Sequence, residues 1–271
     1  METSRIVYDS WGVGAPVVLL HGLGHHRGAW QPVVADLAPL YQVLALDLPG
    51  FGDSPAPGPQ DRYDVGFLVD AVLGLCADLG LQRPHMVGNS LGGAVALEAA
   101  ARGEAASVTA LSPIGFGSAA RTALARALAA SARWAARVPP PLARAAVETP
   151  PARALARRVL RADPGSAAAH EVVFDTAVLA PGSPFVRMAP HVAAYRFTGA
   201  VRCPVTIAWG DCDRLLPPAG ARRALRRIPH ARSAALAGCG HIPMADDARS
   251  VAAEILRTCR TAQTAGAAQG P

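Results

Sequence analysis

The sequence predicts an α/β fold built on a mainly parallel sheet, and three observations carry that expectation. Short apolar runs recur along the chain, each stopping at Gly, Pro, Ser or Asp. Stretches with helical spacing separate those runs. Finally, 51% of the 271 residues are hydrophobic and only 17% are charged, enough apolar material for one large domain or two small ones.

The runs at 16–20, 41–46 and 84–87 stop at His21-Gly22, Asp47 and Gly88. Those at 108–111, 205–209 and 233–236 stop at Ser112-Pro113, Gly210-Asp211 and just before Gly238. Runs this short, apolar on both faces, suit strands covered on each side, as in a parallel sheet. Residues 63–79, 91–102, 219–227 and 246–260 read as helices; in the first, Phe67, Val69, Val72, Leu75, Cys76 and Leu79 recur at roughly helical spacing. Strands alternating with helices imply a twisted parallel sheet flanked by helices.

Residues 115–199 break this rhythm. They are rich in Ala and Arg, and Pro139-Pro-Pro141, Pro150-Pro151 and Pro164-Gly165 divide them into short helical pieces. Because the sheet pattern resumes at Val205, the block 113–202 reads as a helical cap insertion. The core then comprises 1–112 and 203–260. The small, polar stretch 261–271 reads as a disordered tail.

Composition excludes several classes of protein. The apolar share rules out a wholly disordered chain. No apolar run approaches the roughly 20 residues that cross a bilayer. Met1-Glu2-Thr3-Ser4-Arg5 does not lead into an apolar stretch as a secretory signal does. The five Cys (76, 203, 212, 239 and 259) form an odd, scattered set that implies neither a disulfide framework nor paired zinc ligands, so the reading is cytoplasmic. The net charge of +6 comes entirely from Arg, since the chain has no Lys. Residues 113–202 hold twelve Arg against four acids, an excess of +8, which leaves −2 for the rest.

The chemistry-bearing residues lie at the ends of the predicted strands. Gly88-Asn89-Ser90-Leu91-Gly92 falls where a strand gives way to a helix. A nucleophile on such a turn is pushed outward, glycines let neighbouring backbone pass, and the helix N-terminus favours developing negative charge. Serine needs a base and an orienting carboxylate. Trp209-Gly-Asp-Cys-Asp213 offers two acids, Asp211 and Asp213, and Gly238-Cys-Gly-His241-Ile-Pro offers the base. The order Ser90, Asp, His241 suits groups on successive strand ends. Two backbone donors complete the set, the Leu91 amide and the Leu23 amide of His21-Gly-Leu-Gly24, as an oxyanion hole. His21, His25 and His26 include a four-residue spacing that could suit a metal, but no carboxylate or Cys accompanies them, so no metal and no cofactor is expected. His21 is expected to pack under the loop, with His25 and His26 near a pocket mouth. Trp30 reads as core.

Together, His21-Gly-Leu-Gly24, Asp47-Leu-Pro-Gly-Phe-Gly-Asp-Ser54, Gly88-Asn-Ser-Leu-Gly-Gly93, Gly210-Asp-Cys-Asp213 and Gly240-His241-Ile-Pro243 resemble the α/β-hydrolase superfamily over about residues 5–260. The resemblance implies an α/β-hydrolase fold, a Ser90–Asp213–His241 triad with Asp211 as a turn residue, and hydrolysis of a carboxylic ester. Ser90 argues against relatives with an Asp nucleophile. The Asn89-Ser90 elbow followed by Gly92-Gly93 also resembles the meta-cleavage-product hydrolases, which cut C–C bonds of dienone acids; Asn89 and His25 are the candidate substrate contacts. The Asp47-Leu-Pro-Gly-Phe-Gly element resembles esterases of carrier-bound methyl esters, for which an Arg-rich cap meets an acidic carrier protein. A non-catalytic ligand receptor on the same fold remains a further alternative. The other partner expectations are a small-molecule acyl substrate, no nucleic acid, no stable membrane insertion, and a monomer or homodimer.

Overall fold

The first strand in the chain is one the apolar pattern does not announce. β1 (Tyr8–Trp11) sets Asp9 and Ser10 between two aromatic residues and stays partly exposed, as an edge strand can. It pairs antiparallel with β3 (Gln42–Leu46), with Tyr8 opposite Leu46 and Trp11 opposite Val43. The computed structural model describes residues 6–118, 149, 151, 154, 158–162 and 183–268 of the chain.

From β3 to the far edge the sheet is parallel throughout. β2 (Pro16–Leu20) lies between β3 and β4 (His85–Asn89), followed outward by β5 (Ser107–Leu111), β6 (Val205–Gly210) and β7 (Arg232–Leu236). The order β1-β3-β2-β4-β5-β6-β7 places the elements of 1–112 at one edge and those of 203–236 at the other. The sequence expectation of an α/β fold with a mainly parallel, helix-flanked sheet is borne out.

Alternating side chains divide between two faces. Val18, Leu20, Leu44 and Leu46 join a core shared with α2 (Val65–Asp78), α3 (Leu91–Ala101) and α5 (Ala219–Arg227). Val17, Leu19, Val43 and Ala45 join Trp30, α1 (Gln31–Leu37) and α7 (Ala248–Ala268) on the other. Trp30 is fully buried in that second core, as expected. The Asp64 carboxylate caps α2 by accepting from the Phe67 amide at 3.0 Å.

Of the predicted insertion 113–202, the structure describes 113–118, 149, 151, 154, 158–162 and 183–202. The Arg-rich run containing Arg121, Arg126, Arg133 and Arg137 lies outside the described residues. α4 (Pro184–Ala194) begins at a Ser183 cap and docks on the loop after β3. Arg187 donates to the carbonyls of Pro57 and Gly58 at 2.8 Å and stacks over the Tyr63 ring, whose hydroxyl donates to Pro49.

The C-terminus departs from expectation. The helix expected at 246–260 divides: α6 (Pro243–Asp246) is a short turn, and α7 runs on to Ala268, well into the stretch 261–271 read as a disordered tail. Asp247 accepts from the Ser250 amide at 3.0 Å and so starts the new helix. Further along, Ala is the best helix former, and Thr261 and Thr264 return their hydroxyls to the carbonyls four residues back. Low hydrophobicity there does not preclude a helix, because helix propensity acts without it. Among the described residues no helix is long and apolar enough to cross a membrane.

Candidate active site

Parallel strands end together, so the loops after β2, β4, β6 and β7 converge on one edge of the sheet. After β4 the chain enters α3 through Ser90, held at φ 54° and ψ −110°, a conformation that costs a non-glycine residue energy unless its surroundings enforce it. The enforcement is visible. The Ser90 amide donates to Leu111 at 2.9 Å, and its carbonyl accepts from Ala94 and Ile114. A Cβ on Gly92 would fall 2.1 Å from the Leu20 carbonyl oxygen, and one on Gly88 would fall 2.1 Å from that of Gly92. Both glycines of the motif are therefore there for close backbone approach. Gly22 packs directly over the Ser90 side chain, its would-be Cβ 3.4 Å from that of Ser90.

After β6, the chain turns at Asp211, whose exposed carboxylate accepts from the Gly238 amide at 2.8 Å. Asp213 is buried. One carboxylate oxygen accepts from the Leu216 amide at 2.7 Å, and the other meets His241 Nδ1 at 2.9 Å. The ring nitrogen is the donor to the carboxylate, which leaves Nε2 as the acceptor nitrogen of the neutral His241 ring. The His241 backbone is held from two sides, its amide donating to the Leu160 carbonyl at 2.9 Å and its carbonyl accepting from Asn89 Nδ2, also at 2.9 Å. Ser90 and His241 are each mostly buried, at 7% and 4% exposure, and among the described residues no hydrogen bond joins the Ser90 hydroxyl to the imidazole. In unliganded sites such contacts are often long.

The loop after β2 is fixed by a buried imidazole. His21 Nδ1 donates to the Gly22 carbonyl at 2.7 Å, and Nε2 accepts from the Leu48 amide at 2.9 Å. Burial pushes its pKa down to about 4, so the ring is neutral, and both nitrogens are engaged. That arrangement leaves no lone pair for a metal, and His21 packs beneath the loop as expected. His25 is driven down to about 3 by burial and by neighbouring His21 and His26, and its Nδ1 accepts from the His26 amide at 2.9 Å. Among the described residues, the Leu23 and Leu91 amides donate to no protein acceptor. The adjoining Asp47 carboxylate is fully buried and accepts from the Arg27 and Asp53 amides, with the Arg27 guanidinium paired to it. The hydrogen bond to Asp53, together with the pairing to Asp9 and Asp47, holds the Arg27 pKa above its ordinary value.

The structure thus brings Asp213 and His241 into contact, sets Ser90 on the facing elbow, and lays the Leu23 loop over it. Asn89 has a different employment from the substrate contact expected of it. Its side chain is 2% exposed, and its amide nitrogen joins the Leu111 carbonyl at 3.2 Å to the His241 carbonyl. It ties the elbow to the His241 loop. Sequence reasoning also missed Leu160, because a backbone carbonyl acts through position and carries no side-chain signature.

An elbow serine, a buried His–Asp pair and a glycine loop over the serine, all at the strand ends of one parallel sheet, define a hydrolase-type α/β architecture. Accordingly, the alpha/beta hydrolase fold family matches residues 15–248, and the chain belongs to it. It is 38% identical over 92 residues to the pimeloyl-[acyl-carrier protein] methyl ester esterase of Aeromonas hydrophila, a stretch covering 34% of each chain. It is also 38% identical over 96 residues to the 2-hydroxy-6-oxo-6-phenylhexa-2,4-dienoate hydrolase of Comamonas testosteroni, covering 34% of this chain and 33% of that one. The matched stretch spans about a third of each relative's length. In fold, it is similar to a thermophilic esterase from Thermogutta terrifontis, with a TM-score of 0.77 at 22% identity over 95% of this chain and 93% of that one.

Proposed function

We propose that the chain is a serine hydrolase that cleaves a carboxylic ester through an acyl-enzyme formed on Ser90. The observation that carries this reading is the buried 2.9 Å pair between His241 Nδ1 and Asp213, on the strand ends beside an elbow serine at φ 54°.

Ser90 Oγ attacks the ester carbonyl as its proton passes to His241 Nε2. Asp213 keeps the Nδ1 proton directed at itself and stabilises the imidazolium that forms. The carbonyl oxygen becomes an oxyanion between the Leu23 and Leu91 amides, donors already in place before charge develops. The intermediate collapses, the C–O bond to the leaving alcohol breaks, and His241 returns the proton to that alcohol. Water then gives a proton to His241, its oxygen attacks the acyl carbon, and collapse frees the acid and restores Ser90. Asn89 keeps the base loop in register with the elbow through both steps. The neutral His25 ring offers its Nε2 proton to the bound substrate.

A second reading is hydrolysis of a C–C bond in a dienone acid, supported by the similarity to the dienoate hydrolase and by the Gly-Asn-Ser-Leu-Gly-Gly elbow. Within the ester reading, similarity to the methyl ester esterase supports a carrier-bound acyl group, with an acidic carrier protein as partner. A fluorophosphonate probe is expected to label the wild type and to leave Ser90→Ala unlabelled. A folded wild type that resists labelling would sink the hydrolase reading. A series of p-nitrophenyl esters assayed beside a dienone acid then distinguishes the two chemistries, the ester reading failing if only the dienone acid is turned over.

A further inference from the structure

The His241 loop is contacted by a segment from the long connection between β5 and β6. Residues 158–160 are helical, and residues 160–162 run beside the loop that carries His241. The Leu160 carbonyl accepts from the amides of both His241 and Ile242, at 2.9 and 3.3 Å. The next residue is Arg161, 1% exposed, one of the largest fully buried side chains in the structure. Its Nε donates to Asp246 at 2.7 Å and its Nη2 to the Ala245 carbonyl at 2.8 Å. The second oxygen of Asp246 accepts from the Gly240 amide at 2.7 Å and from the Ala162 amide at 3.4 Å. One buried carboxylate therefore joins three things: the arginine of the segment, the segment's own backbone, and the residue preceding the catalytic-type histidine.

Two further contacts close the arrangement. A Cβ on Gly240 would lie 2.7–2.8 Å from Ala162 N, Arg161 C and Leu160 O, so the two backbones touch only because position 240 lacks a side chain. Arg214, next to Asp213, donates to the carbonyls of Arg158 at 2.7 Å and Arg161 at 3.2 Å. The same five-residue segment thus grips the loops of both the base and its orienting acid.

A buried ion pair is expensive to desolvate, and replacing both partners by apolar residues is often neutral for stability. Stability alone is a weak reason to bury Arg161 there. We propose that Arg161 is a positioning residue, and that the Arg161–Asp246 pair seats the His241 loop so that the imidazole keeps its alignment with Asp213 and Ser90. The segment at 160–162 is then a fixed part of the base's scaffold. This rests on the reading of Ser90, Asp213 and His241 as a hydrolytic triad.

The test compares wild type, Arg161→Met, Arg161→Lys and Asp246→Asn, each checked for cooperative thermal unfolding. It uses steady-state hydrolysis of a p-nitrophenyl ester, its pH profile, and the low-field proton NMR signal of the His241–Asp213 hydrogen bond. A misplaced base is expected to lower kcat in Arg161→Met and Asp246→Asn by about 10- to 100-fold with KM nearly constant. The pH profile shifts, the low-field signal weakens, and Arg161→Lys recovers part of the rate. If Arg161→Met does not fold, Asp246→Asn and Arg161→Lys decide on the same readouts. Folded variants with wild-type kcat and an unchanged low-field signal would overturn the proposal, as would a loss confined to KM. Should wild type show neither labelling nor turnover, the hydrolytic reading fails. The low-field signal then decides the positioning claim by itself: weakening in the variants upholds it, and an unchanged signal overturns it.

Discussion

At the residue scale, two carboxylates two positions apart in one loop have opposite environments. Asp213 is buried against His241, whereas Asp211 is exposed and caps the Gly238 amide. In the proposed mechanism an acid orients the imidazole at every turnover, so Asp213→Asn is expected to lower kcat by about 10³- to 10⁴-fold. Asp211→Asn should stay within about threefold, because it perturbs only a turn hydrogen bond at the surface. Equal losses in the two variants under steady-state assay would overturn the assignment. The pairing of acid with base was only partly legible in the sequence, since spacing offered both carboxylates and the resemblance alone favoured one. Asn89 was legible as a member of the elbow but not as a strut, because its partners, Leu111 and His241, are 22 and 152 residues away in the chain.

At the scale of elements, the elbow succeeds because β2, β4 and α3 approach more closely than side chains allow. A Cβ at Gly92 would fall 2.1 Å from the Leu20 oxygen, in backbone that cannot yield as a flexible side chain would. Gly92→Ala is therefore expected to cost at least about 3 kcal/mol in urea unfolding. Gly103→Ala, in open space but at φ +87°, should cost only about 1–2 kcal/mol from backbone strain. A Gly92→Ala protein as stable as the Gly103→Ala one would refute the close-approach account. The buried strands were read correctly because a strand covered on both faces must be apolar throughout. β1 escaped notice because an edge strand needs no such pattern, and the extension of α7 to Ala268 escaped notice because helix propensity acts without hydrophobicity.

At the scale of the whole molecule, buried neutral histidines tie stability to pH. His21 has a folded pKa near 4, against an ordinary value of 6.5, because burial disfavours its charged form. The unfolded chain therefore binds the proton first as pH falls from 6.5 to 4, so native stability decreases across that window, by on the order of 3 kcal/mol from His21. Above 6.5 and below 4 this contribution is flat. Urea unfolding at pH 7 and pH 4.5 should show the loss, and His21→Asn should show a smaller one from a lower starting stability. An identical pH dependence in the variant would refute the assignment to His21. Charge is distributed at this scale too. The −2 outside 113–202 is not uniform: residues 1–112 hold five Arg and eleven acids, and residues 203–271 hold nine Arg and five acids. The strands of these two stretches lie at opposite sides of the sheet, so the acidic stretch includes the β1 edge and the basic stretch the β7 edge. The positive excess belongs to the basic edge as well as to the insertion, with Arg222, Arg226 and Arg227 of α5 exposed there.

The sequence by itself determined the fold class, the family, the elbow, and the strand ends on which an acid and a base would lie. Each of these is encoded locally, in apolar runs, in glycines where backbone must pass, and in polar residues at fixed places in a loop. Tertiary structure alone decided which carboxylate meets His241, what Asn89 holds, and that a segment near residue 160 contacts the His241 loop. Those depend on backbone carbonyls and on partners tens of residues distant, and a hydrogen bond to a carbonyl leaves no trace in the identity of the residue that supplies it.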